Sequence, residues 1–333
     1  MSSSLTTTGS KLDEIAAAVR DANCIALLGH ETPDADSLGS TGALWLALRD
    51  LGKHARLLVP GGISRKLEYL IGFARLDRLE STEGLASCDL VIVCDTAKEK
   101  RINVPGGIDT LSGLKLVNMD HHATNAGFGD IAWIDEHRSS TSEMAYELIR
   151  RLGAHITPTI ATLLFAGIHS DTQGFSLSNT TQRSFEVAHD LSQAGAHIVE
   201  VCEQLERSVS PEEFALLKVV YANTQVSRDG RVSWSTATYD EIAGAGCNAD
   251  SIDDQVEIPR SIAGVKIAIL FTEGEPGVIR MNFRGDTGLS VLGLAQQFGG
   301  GGHHAAAGAR RRGAIAQVVN EVIPATHAYL ESL

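Results

Sequence analysis

Short apolar runs alternate along the first half of the chain with segments whose apolar residues recur every three or four positions. The recurrence from Leu12 to Val19, and again from Ser37 to about Leu51, is typical of helices, with Ser10 as a candidate N-cap of the first. The apolar runs have the length of buried strands and comprise Cys24 to Leu28, Arg56 to Val59, Leu90 to Cys94 and Leu114 to Met119. This alternation predicts an α/β domain built on a mostly parallel sheet flanked by helices.

The second half of the chain begins with helical spacing and then changes to strands. Helical spacing continues over Ser142 to Leu152, Pro158 to Ile168 and Thr181 to about Glu213. The remaining patterns predict strands over Arg231 to Thr238, Val265 to Thr272 and Val278 to Phe283, with helices near Leu289 to Phe298 and Ile315 to Leu330. We expect a first domain over residues 1–185, a helical linker over 186–210 and a smaller α/β domain over 211–333.

Composition limits the partners that the chain can bind. The 333 residues carry a formal net charge of −13, which argues against a broad basic face for long duplex nucleic acid. The five cysteines are scattered without Cys-x-x-Cys spacing, and no apolar run has the length of a membrane span. We expect a cytoplasmic protein with reduced thiols, no membrane contact and small ligands. The oligomeric state is left open, with a homodimer as one option.

Acidic residues and histidines cluster at the ends of the predicted strands. Ligands of parallel sheets bind outside the carboxyl ends of the strands, so side chains that follow several strands meet in one crevice. The residues concerned are His30, Asp34 and Asp36 after the first run, Asp95 after the third, and Asp120, His121 and His122 after the fourth, with Asp171 just beyond a predicted helix. We therefore expect these four clusters to form one site.

The chemistry of these residue types favours a metal site. Carboxylates suit hard divalent cations, and imidazole adds a nitrogen ligand that suits manganese, iron, cobalt or zinc. A single aspartate at a strand end is more often a helix cap or a turn residue, and Asp34 and Asp36 fit that alternative taken alone. Acidic clusters recur at four places and include histidines, which favours a metal site over the alternative of helix caps and turn residues.

The spacing of these residues resembles the motifs of the DHH phosphoesterase superfamily. The resemblance is carried by His30-x-x-Pro33-Asp34-x-Asp36, Asp95-Thr96, Asp120-His121-His122 and Asp171-Thr172, in that order. Gly300-Gly-Gly-His303-x-x-Ala306-Ala307-Gly308 is similar to the signature of the DHH-associated C-terminal domain. The motifs span nearly the whole chain. Within the superfamily, the two-domain length most resembles the NrnA-like nanoRNases and pAp phosphatases.

The resemblance implies a role for each residue of the site. It implies two divalent ions, with manganese preferred and magnesium or cobalt as alternatives. One ion is bound by His30, Asp34 and Asp95. The other is bound by Asp36, Asp95, His121 and Asp171, so that Asp95 bridges the two. The catalytic residues that it implies are Asp95, His122 and Asp120. In this scheme His122 is the acid that protonates the leaving oxygen, and Asp120 orients a histidine.

The resemblance also implies a substrate site that draws on the second domain. Glycines let backbone amides approach an anion closely, and arginine binds phosphate through two parallel hydrogen bonds. The implied phosphate contacts are Arg284, Gly300, Gly301, Gly302 and His303, with the active site in the cleft between the domains. A surface salt bridge is the alternative for Arg284, and a flexible loop is the alternative for a bare glycine run.

The activity that the resemblance implies is metal-dependent hydrolysis of short oligoribonucleotides or of 3'-phosphoadenosine 5'-phosphate (pAp). In that reaction a hydroxide held by two metals attacks phosphorus. The sequence leaves open a phosphodiesterase for cyclic di-AMP or linear dinucleotides, and a nucleotide-binding regulator without turnover. One departure concerns the fourth motif, where many relatives have Asp-Thr-Gly-x-Phe and this chain has Asp171-Thr172-Gln173-Gly174-Phe175. We expect metal binding to survive this change and the surrounding contacts to differ.

Overall fold

A computed structural model describes residues 2–59, 61–74, 88–102, 113–206, 209–247, 252, 255–286, 288–302 and 304–333. The chain divides into two compact units, Met1–Ser208 and Val209–Leu333. The helices of the first unit are α1 (Ser2–Asp21), α2 (Ala35–Asp50), α3 (Glu68–Ala74), α4 (Thr141–Leu152), α5 (Pro158–Asp171), α6 (Gln182–Gln193) and α7 (Ile198–Glu206). Its strands are β1 (Cys24–Leu28), β2 (His54–Leu58), β3 (Leu90–Cys94), β4 (Lys115–Asp120) and β5 (Ile131–Ile134).

The strands of the first unit form a parallel sheet in the order β2-β1-β3-β4-β5. β1 and β3 are buried at every position, which explains their uninterrupted apolar sequences. In the sheet, β2 lies on one side of β1, and the next strand along the chain, β3, lies on the other side of β1. The sheet order therefore reverses between β1 and β3, and such a reversal opens a crevice at the carboxyl ends of the two strands.

Helix α2 packs closely against α4 and α5, and small residues permit the approach. A Cβ atom added at Gly39 of α2 would lie 2.4 Å from the carbonyl oxygen of Leu163 in α5. One added at Gly167 of α5 would lie 2.0 Å from Ser142 Oγ and 2.6 Å from Asp36 Oδ1. Glycine is thus required where α5 passes the amino ends of α2 and α4, and this packing positions Asp36.

The predicted linker over residues 186–210 covers most of α6 and the whole of α7. Val187, Leu191 and Val201 of these helices are fully buried in the core of the first unit. The prediction of Ser10 as an N-cap is wrong, because α1 begins at Ser2 and continues through Ser10. Serine and glycine lower helix propensity without preventing a helix, so the polar start of the chain does not stop α1.

The second unit is a mixed sheet with helices on both faces. Its strands β6 (Gln225–Val226), β7 (Val232–Ala237), β8 (Ile267–Glu275), β9 (Val278–Gly285), β10 (Gly301–Gly302) and β11 (Ala306–Arg312) lie in the order β10-β11-β9-β8-β7-β6. β7 and β8 are parallel, and the other described pairs are antiparallel. Its helices are α8 (Pro211–Asn223), α9 (Tyr239–Gly244), α10 (Glu257–Arg260), α11 (Leu292–Gln297) and α12 (Ile315–Glu331).

The predicted fold class is confirmed, since a parallel α/β unit precedes a smaller α/β unit. Apolar residues of α11 and α12 cover one face of the second sheet, and those of α8, α9 and α10 cover the other face at β7 and β8. Among the described helices, none has both the length and the apolar content required to cross a membrane.

Candidate metal centre

Three of the predicted clusters meet at the carboxyl ends of β1, β3 and β4. His30 lies two residues beyond β1, Asp95 follows β3 directly, and Asp120 is the last residue of β4. Because β1, β3 and β4 are consecutive parallel strands of the sheet, these residues share its carboxyl edge, beside the point where the strand order reverses. The fold therefore brings the clusters together.

The fourth cluster arrives on a helix. Asp171 is the last residue of α5, and its Oδ2 atom lies 3.0 Å from His121 Nε2. Asp36 lies in the first turn of α2 and is completely buried. Asp36, His121 and Asp171 each offer one ligand atom, and these three atoms lie within 4.8 Å of one another. They form one potential ligand group.

A second group comprises His30, Asp34 and Asp95, whose ligand atoms also lie within 4.8 Å of one another. His30 Nε2 is 3.6 Å from Asp34 Oδ2 and 3.4 Å from Asp95 Oδ2. The other oxygen of Asp34 caps α2, since Oδ1 accepts hydrogen bonds from the backbone N–H groups of Asp36 and Ser37. Asp34 is thus both a helix cap and a potential ligand, with one oxygen for each role.

Asp95 lies between the two groups. Its Oδ2 atom faces His30, and its Oδ1 atom is 3.8 Å from His121 Nε2 and 3.6 Å from His122 Nδ1. Asp95, His121 and His122 form a third set whose ligand atoms lie within 4.8 Å of one another. One carboxylate therefore faces both ligand groups, as a bridging ligand does.

The electrostatics of these carboxylates fit divalent cations. Asp95 Oδ2 is buried and accepts no hydrogen bond from the described residues, which is costly for a carboxylate unless a cation neutralises it. Burial, and then repulsion from Asp34 and Asp36, raises the pKa of Asp95 well above its ordinary value. Burial and the nearby Asp171 raise the pKa of Asp36 to about 7. Mixed oxygen and nitrogen donors of this kind suit first-row divalent ions.

The backbone holds Asp95 in a rare conformation. Its φ angle is 53°, in the left-handed region, which aspartate tolerates better than most residues other than glycine. The Asp95 N–H donates to the carbonyl oxygen of Met119 at 3.0 Å, which ties the turn to β4. Conformations of this type cost free energy and occur most often at functional sites.

Asp36 is oriented by the amino end of α4. Its Oδ2 atom accepts a hydrogen bond from the backbone N–H of Thr141 at 2.7 Å, and Oδ1 accepts one from Ser142 at 2.8 Å. The positive end of the helix dipole favours the carboxylate. Each oxygen has a second lone pair, so this anchoring leaves Asp36 able to bind an ion.

Asp120 orients His122. His122 Nδ1 donates to Asp120 Oδ1 at 2.7 Å, which fixes the orientation of the imidazole. Burial would raise the pKa of Asp120, but hydrogen bonds from His122 and Asn125 and the electrostatic effect of the neighbouring histidines together outweigh burial and keep this pKa below its ordinary value. The Asp120 carboxylate is therefore ionised at neutral pH and accepts the hydrogen bond from His122.

The prediction from sequence missed two asparagines and an arginine beside the site. Asn125 Nδ2 lies 2.7 Å from Asp120 Oδ2 and 2.8 Å from Asn118 Oδ1, so it donates to the carboxylate that orients His122. Asn118 is a fully buried polar residue inside the apolar strand β4, and that was a usable signal. Arg101 Nη2 lies 3.2 Å from His30 Nδ1 and belongs to no strand end, so the sequence pattern gave no sign of it.

The fourth motif contains consecutive left-handed residues. Gln173, Gly174 and Phe175 have φ angles of 44°, 65° and 65°. Gln173 places a side chain on a left-handed backbone conformation that favours glycine. Phe175 stacks on Phe185 with ring centroids 4.9 Å apart, which holds this turn.

The predicted substrate residues lie in the second unit. Arg284 is in β9, opposite Ala306 of β11, and its Nε is 3.5 Å from Glu257 Oε1. Gly301 and Gly302 form β10. A Cβ atom at Gly300 would lie 2.1 Å from the carbonyl oxygen of Gly308, so glycine is needed there for close chain approach. His303 lies outside the described residues.

Comparison with known proteins gives the chain its family. The family model described as the N-terminal domain of the DHH family matches residues 24–168, and that described as the DHHA1 domain matches residues 234–331. The Bacillus subtilis protein named bifunctional oligoribonuclease and PAP phosphatase NrnA is 32% identical over 280 residues, which cover 82% of this chain and 85% of that protein. The Thermus thermophilus protein of the same name is 31% identical over 276 residues, covering 83% and 80%.

A solved structure supports the fold. The crystal structure of an exopolyphosphatase-related protein from Bacteroides fragilis has a TM-score of 0.86 at 23% identity, and the match covers 97% of this chain and 96% of that one. The matched regions contain the first three clusters of the candidate metal centre and the glycine-rich signature of the second unit. The resemblance seen in the motifs is confirmed, and the chain belongs to the DHH family.

Proposed function

We propose that the chain is a metal-dependent phosphoesterase that hydrolyses short oligoribonucleotides and pAp to mononucleotides. The observation that carries the proposal is the placement of Asp95, a buried carboxylate that faces both ligand groups and has one oxygen that accepts no hydrogen bond from the described part of the chain. The two relatives named oligoribonuclease and PAP phosphatase support the choice of substrate.

The candidate ligands divide between two ions. His30 and Asp34 would hold one, Asp36, His121 and Asp171 would hold the other, and Asp95 would serve both. When bound, two divalent ions activate water and neutralise charge on the phosphoryl group. We propose manganese, with magnesium or cobalt as alternatives, because histidine and carboxylate ligands together suit manganese and cobalt, while magnesium accepts the carboxylates.

The chain's own residues supply the proton and the orientation. His122 would donate a proton from Nε2 to the leaving oxygen, while its Nδ1 proton stays on the hydrogen bond to Asp120. Asn125 fixes Asp120 in turn. Arg284, Gly300, Gly301, Gly302 and His303 would contact substrate phosphate.

The charge of the chain fits small substrates. A net charge of −13 disfavours an extended track for a long nucleic acid, whose binding depends on many phosphate contacts. A few-nucleotide substrate needs only a local phosphate site. We therefore propose short RNA oligonucleotides and nucleotides as the partners, and neither long duplexes nor membranes.

Product analysis tests this function. Purified wild-type protein with manganese is incubated with a labelled RNA dinucleotide, a longer RNA, pAp and cyclic di-AMP, and products are separated by chromatography. We expect mononucleotides from the dinucleotide and AMP from pAp, and neither product from Asp95→Asn. Asp89→Asn is the matched control, because Asp89 precedes the same strand β3 at its opposite end and its carboxylate binds the backbone N–H groups of Asn23 and Cys24.

The other outcomes of this experiment contradict the proposal in different ways. A preference for cyclic di-AMP would assign the chain to cyclic dinucleotide turnover. No hydrolysis of any compound by metal-loaded wild-type protein would assign it to a nucleotide-binding regulator. Equal activity of Asp95→Asn and wild type would remove Asp95 from the reaction.

A further inference from the structure

Two cysteines of the first unit lie in contact at the amino ends of neighbouring strands. Cys24 is the first residue of β1, and Cys88 lies two residues before β3. Their Sγ atoms are 2.7 Å apart, which exceeds the length of a disulfide bond, about 2.0 Å, by only about 0.7 Å. The N–H of Asp89 donates to the carbonyl oxygen of Cys24 at 3.0 Å and fixes this end of the two strands. A bond between the two sulfurs therefore requires little movement of the backbone.

Both thiols lie on the same face of the sheet. Cys24 and Cys88 are 8% and 5% exposed and belong to one apolar cluster, which also contains Val91 and Val93 of β3. Cys94, the last residue of β3, packs in the separate core that contains the helices. Because side chains alternate along a strand, Cys94 points to the opposite face. The sulfur that faces Cys24 is therefore that of Cys88.

A cavity of about 390 Å³ reaches this end of β1. Its lining residues are Asn23, Cys24, His54, Ala55 and Arg56. His54 of β2 pairs in register with Cys24, and Arg56 pairs with Ala26, so both side chains lie on the face of the thiols. A single water needs roughly 10–15 Å³ of such space. The cavity therefore admits a molecule of the size of hydrogen peroxide.

The surroundings distinguish these thiols from ordinary buried cysteines, which pack as small apolar residues. Reactive cysteines lie near cationic groups and within reach of solvent, and exposed Arg56 favours an ionised thiol here. Burial and the contact with Cys24 nevertheless raise the pKa of Cys88 to about 12, so Cys88 is protonated at neutral pH. Cys24, which lines the cavity, is the thiol that meets an incoming reagent.

We propose that Cys24 and Cys88 form a reversible modification site, at which hydrogen peroxide oxidises the two thiols to a disulfide. The Cys24 thiolate attacks one peroxide oxygen, the O–O bond breaks, and the released hydroxide takes up the proton lost from Cys24 and leaves as water. Cys24 is then a sulfenic acid. The Cys88 sulfur attacks the Cys24 sulfur, the S–O bond breaks, and the departing hydroxide leaves as water with the Cys88 proton. Two thiols thus give two electrons to one peroxide, and the products are one disulfide and two waters.

The disulfide would join the two strands that carry metal ligands. β1 leads to His30 and β3 leads to Asp95, and the bond would lie at the opposite ends of these strands, so the ligands stay in place. The linked cysteines are 64 positions apart, and a loop of that length strongly restricts the unfolded chain. We expect oxidation to raise the melting temperature of the first unit by about 10 °C.

Peptide mapping of peroxide-treated protein tests the site. Metal-stripped wild-type protein is treated with hydrogen peroxide, alkylated, and digested with trypsin and with Asp-N protease, which cuts before Asp89 and so separates Cys88 from Cys94. We expect a linked pair of peptides that contain Cys24 and Cys88, together with the higher melting temperature, and both are reversed by dithiothreitol. Cys247→Ser is the matched control, because it removes a half-buried thiol of the second unit. It should give the same link and the same rise.

Alanine variants separate the roles of the two cysteines. In Cys88→Ala the sulfenic acid on Cys24 lacks its partner, so it should gain a second oxygen and become a sulfinic acid, with no rise in melting temperature. In Cys24→Ala, Cys88 should stay unmodified. Oxidation of Cys88 at the same rate in Cys24→Ala and in wild type would refute the role of Cys24 as the attacking thiol.

The wild-type map decides the proposal even if a variant does not fold. Absence of the link between Cys24 and Cys88 after excess peroxide, or a link from either of them to Cys94, would overturn the site. A link without a rise in melting temperature would overturn its stabilising effect. These measurements need no turnover, so their outcome is independent of the proposed function.

Discussion

Replacing Asp95 with asparagine should abolish turnover and at the same time stabilise the metal-free protein. Asp95 is 1% exposed, and its pKa is raised by burial and by the surrounding carboxylates, so its ionised form destabilises the metal-free fold. Asparagine has nearly the same shape, tolerates the left-handed backbone at φ 53° and carries no charge. The substitution therefore removes the charge with little disturbance of the backbone.

The separation of Asp34 and Asp95 sets the size of the effect. Their ligand oxygens lie within 4.8 Å of each other. Two unit charges at that distance repel by about 3 kcal/mol at an effective dielectric constant of about 20. The Asp34 side chain is 54% exposed, and solvent screens part of this repulsion. We expect Asp95→Asn to raise the free energy of unfolding of metal-free protein by about 2 kcal/mol at pH 8.

The sign of the effect with pH is fixed by the raised pKa. Below the ordinary aspartate pKa of about 4, Asp95 is protonated in both the folded and the unfolded chain, and the penalty is absent. As pH rises, the unfolded chain ionises first, so the folded wild type loses stability relative to the variant. The difference between the two proteins should therefore be small near pH 4 and largest above neutrality.

Urea denaturation in the presence of a chelator measures this difference at several pH values. Asp89→Asn, at the other end of β3, is the control with the opposite sign. Hydrogen bonds from the Asn23 and Cys24 backbone outweigh burial and lower the pKa of Asp89, so its loss should destabilise the protein above pH 4. The reasoning is refuted if Asp95→Asn is less stable than wild type at pH 8 without metal, or if manganese stabilises both equally.

Three further substitutions test other contacts of the first unit. His122→Gln should lower kcat by about 10²–10⁴-fold without changing metal affinity, because it removes the proposed proton donor; a fall of less than tenfold would contradict that role. Asn125→Ala should lower the free energy of unfolding by about 1–2 kcal/mol, because it removes a donor to buried Asp120; unchanged denaturation midpoints would contradict this. Gln173→Gly should raise the free energy of unfolding by about 0.5–1 kcal/mol, because the left-handed backbone costs glutamine about 1–2 kcal/mol and the flexibility of glycine in the unfolded chain offsets part of that gain. Gln173→Ala is the control, and it should give no gain in stability. A lower melting temperature of the glycine variant would contradict the argument.

Sequence predicted the parts of the fold whose signal is local. The buried strands β1, β3 and β4 are mostly apolar runs, and each leads into a motif residue. Because parallel strands place their carboxyl ends at one edge, the sequence predicted that His30, Asp95 and His121 lie close together. β11 was missed because its small residues and arginines lack the apolar alternation of a strand buried on one face. β5 was missed because it has only four residues.

Contacts between distant segments could not be predicted in the same way. Asp36 is anchored by N–H groups of Thr141 and Ser142, more than 100 residues along the chain, and no local pattern connects them. The same holds for Arg101 and His30, which are 71 residues apart. The identity of the ligands follows from motif spacing, while their orientation follows from tertiary packing.

A manganese titration of metal-stripped wild-type protein tests the central claim most directly. It records the ions bound per chain and the rate of pAp hydrolysis in the same samples. The shared position of Asp95 predicts that hydrolysis is absent without metal and reaches its full rate only when two ions are bound per chain. Full activity in chelator, or saturation of the rate with one bound ion, would contradict a two-metal phosphoesterase site.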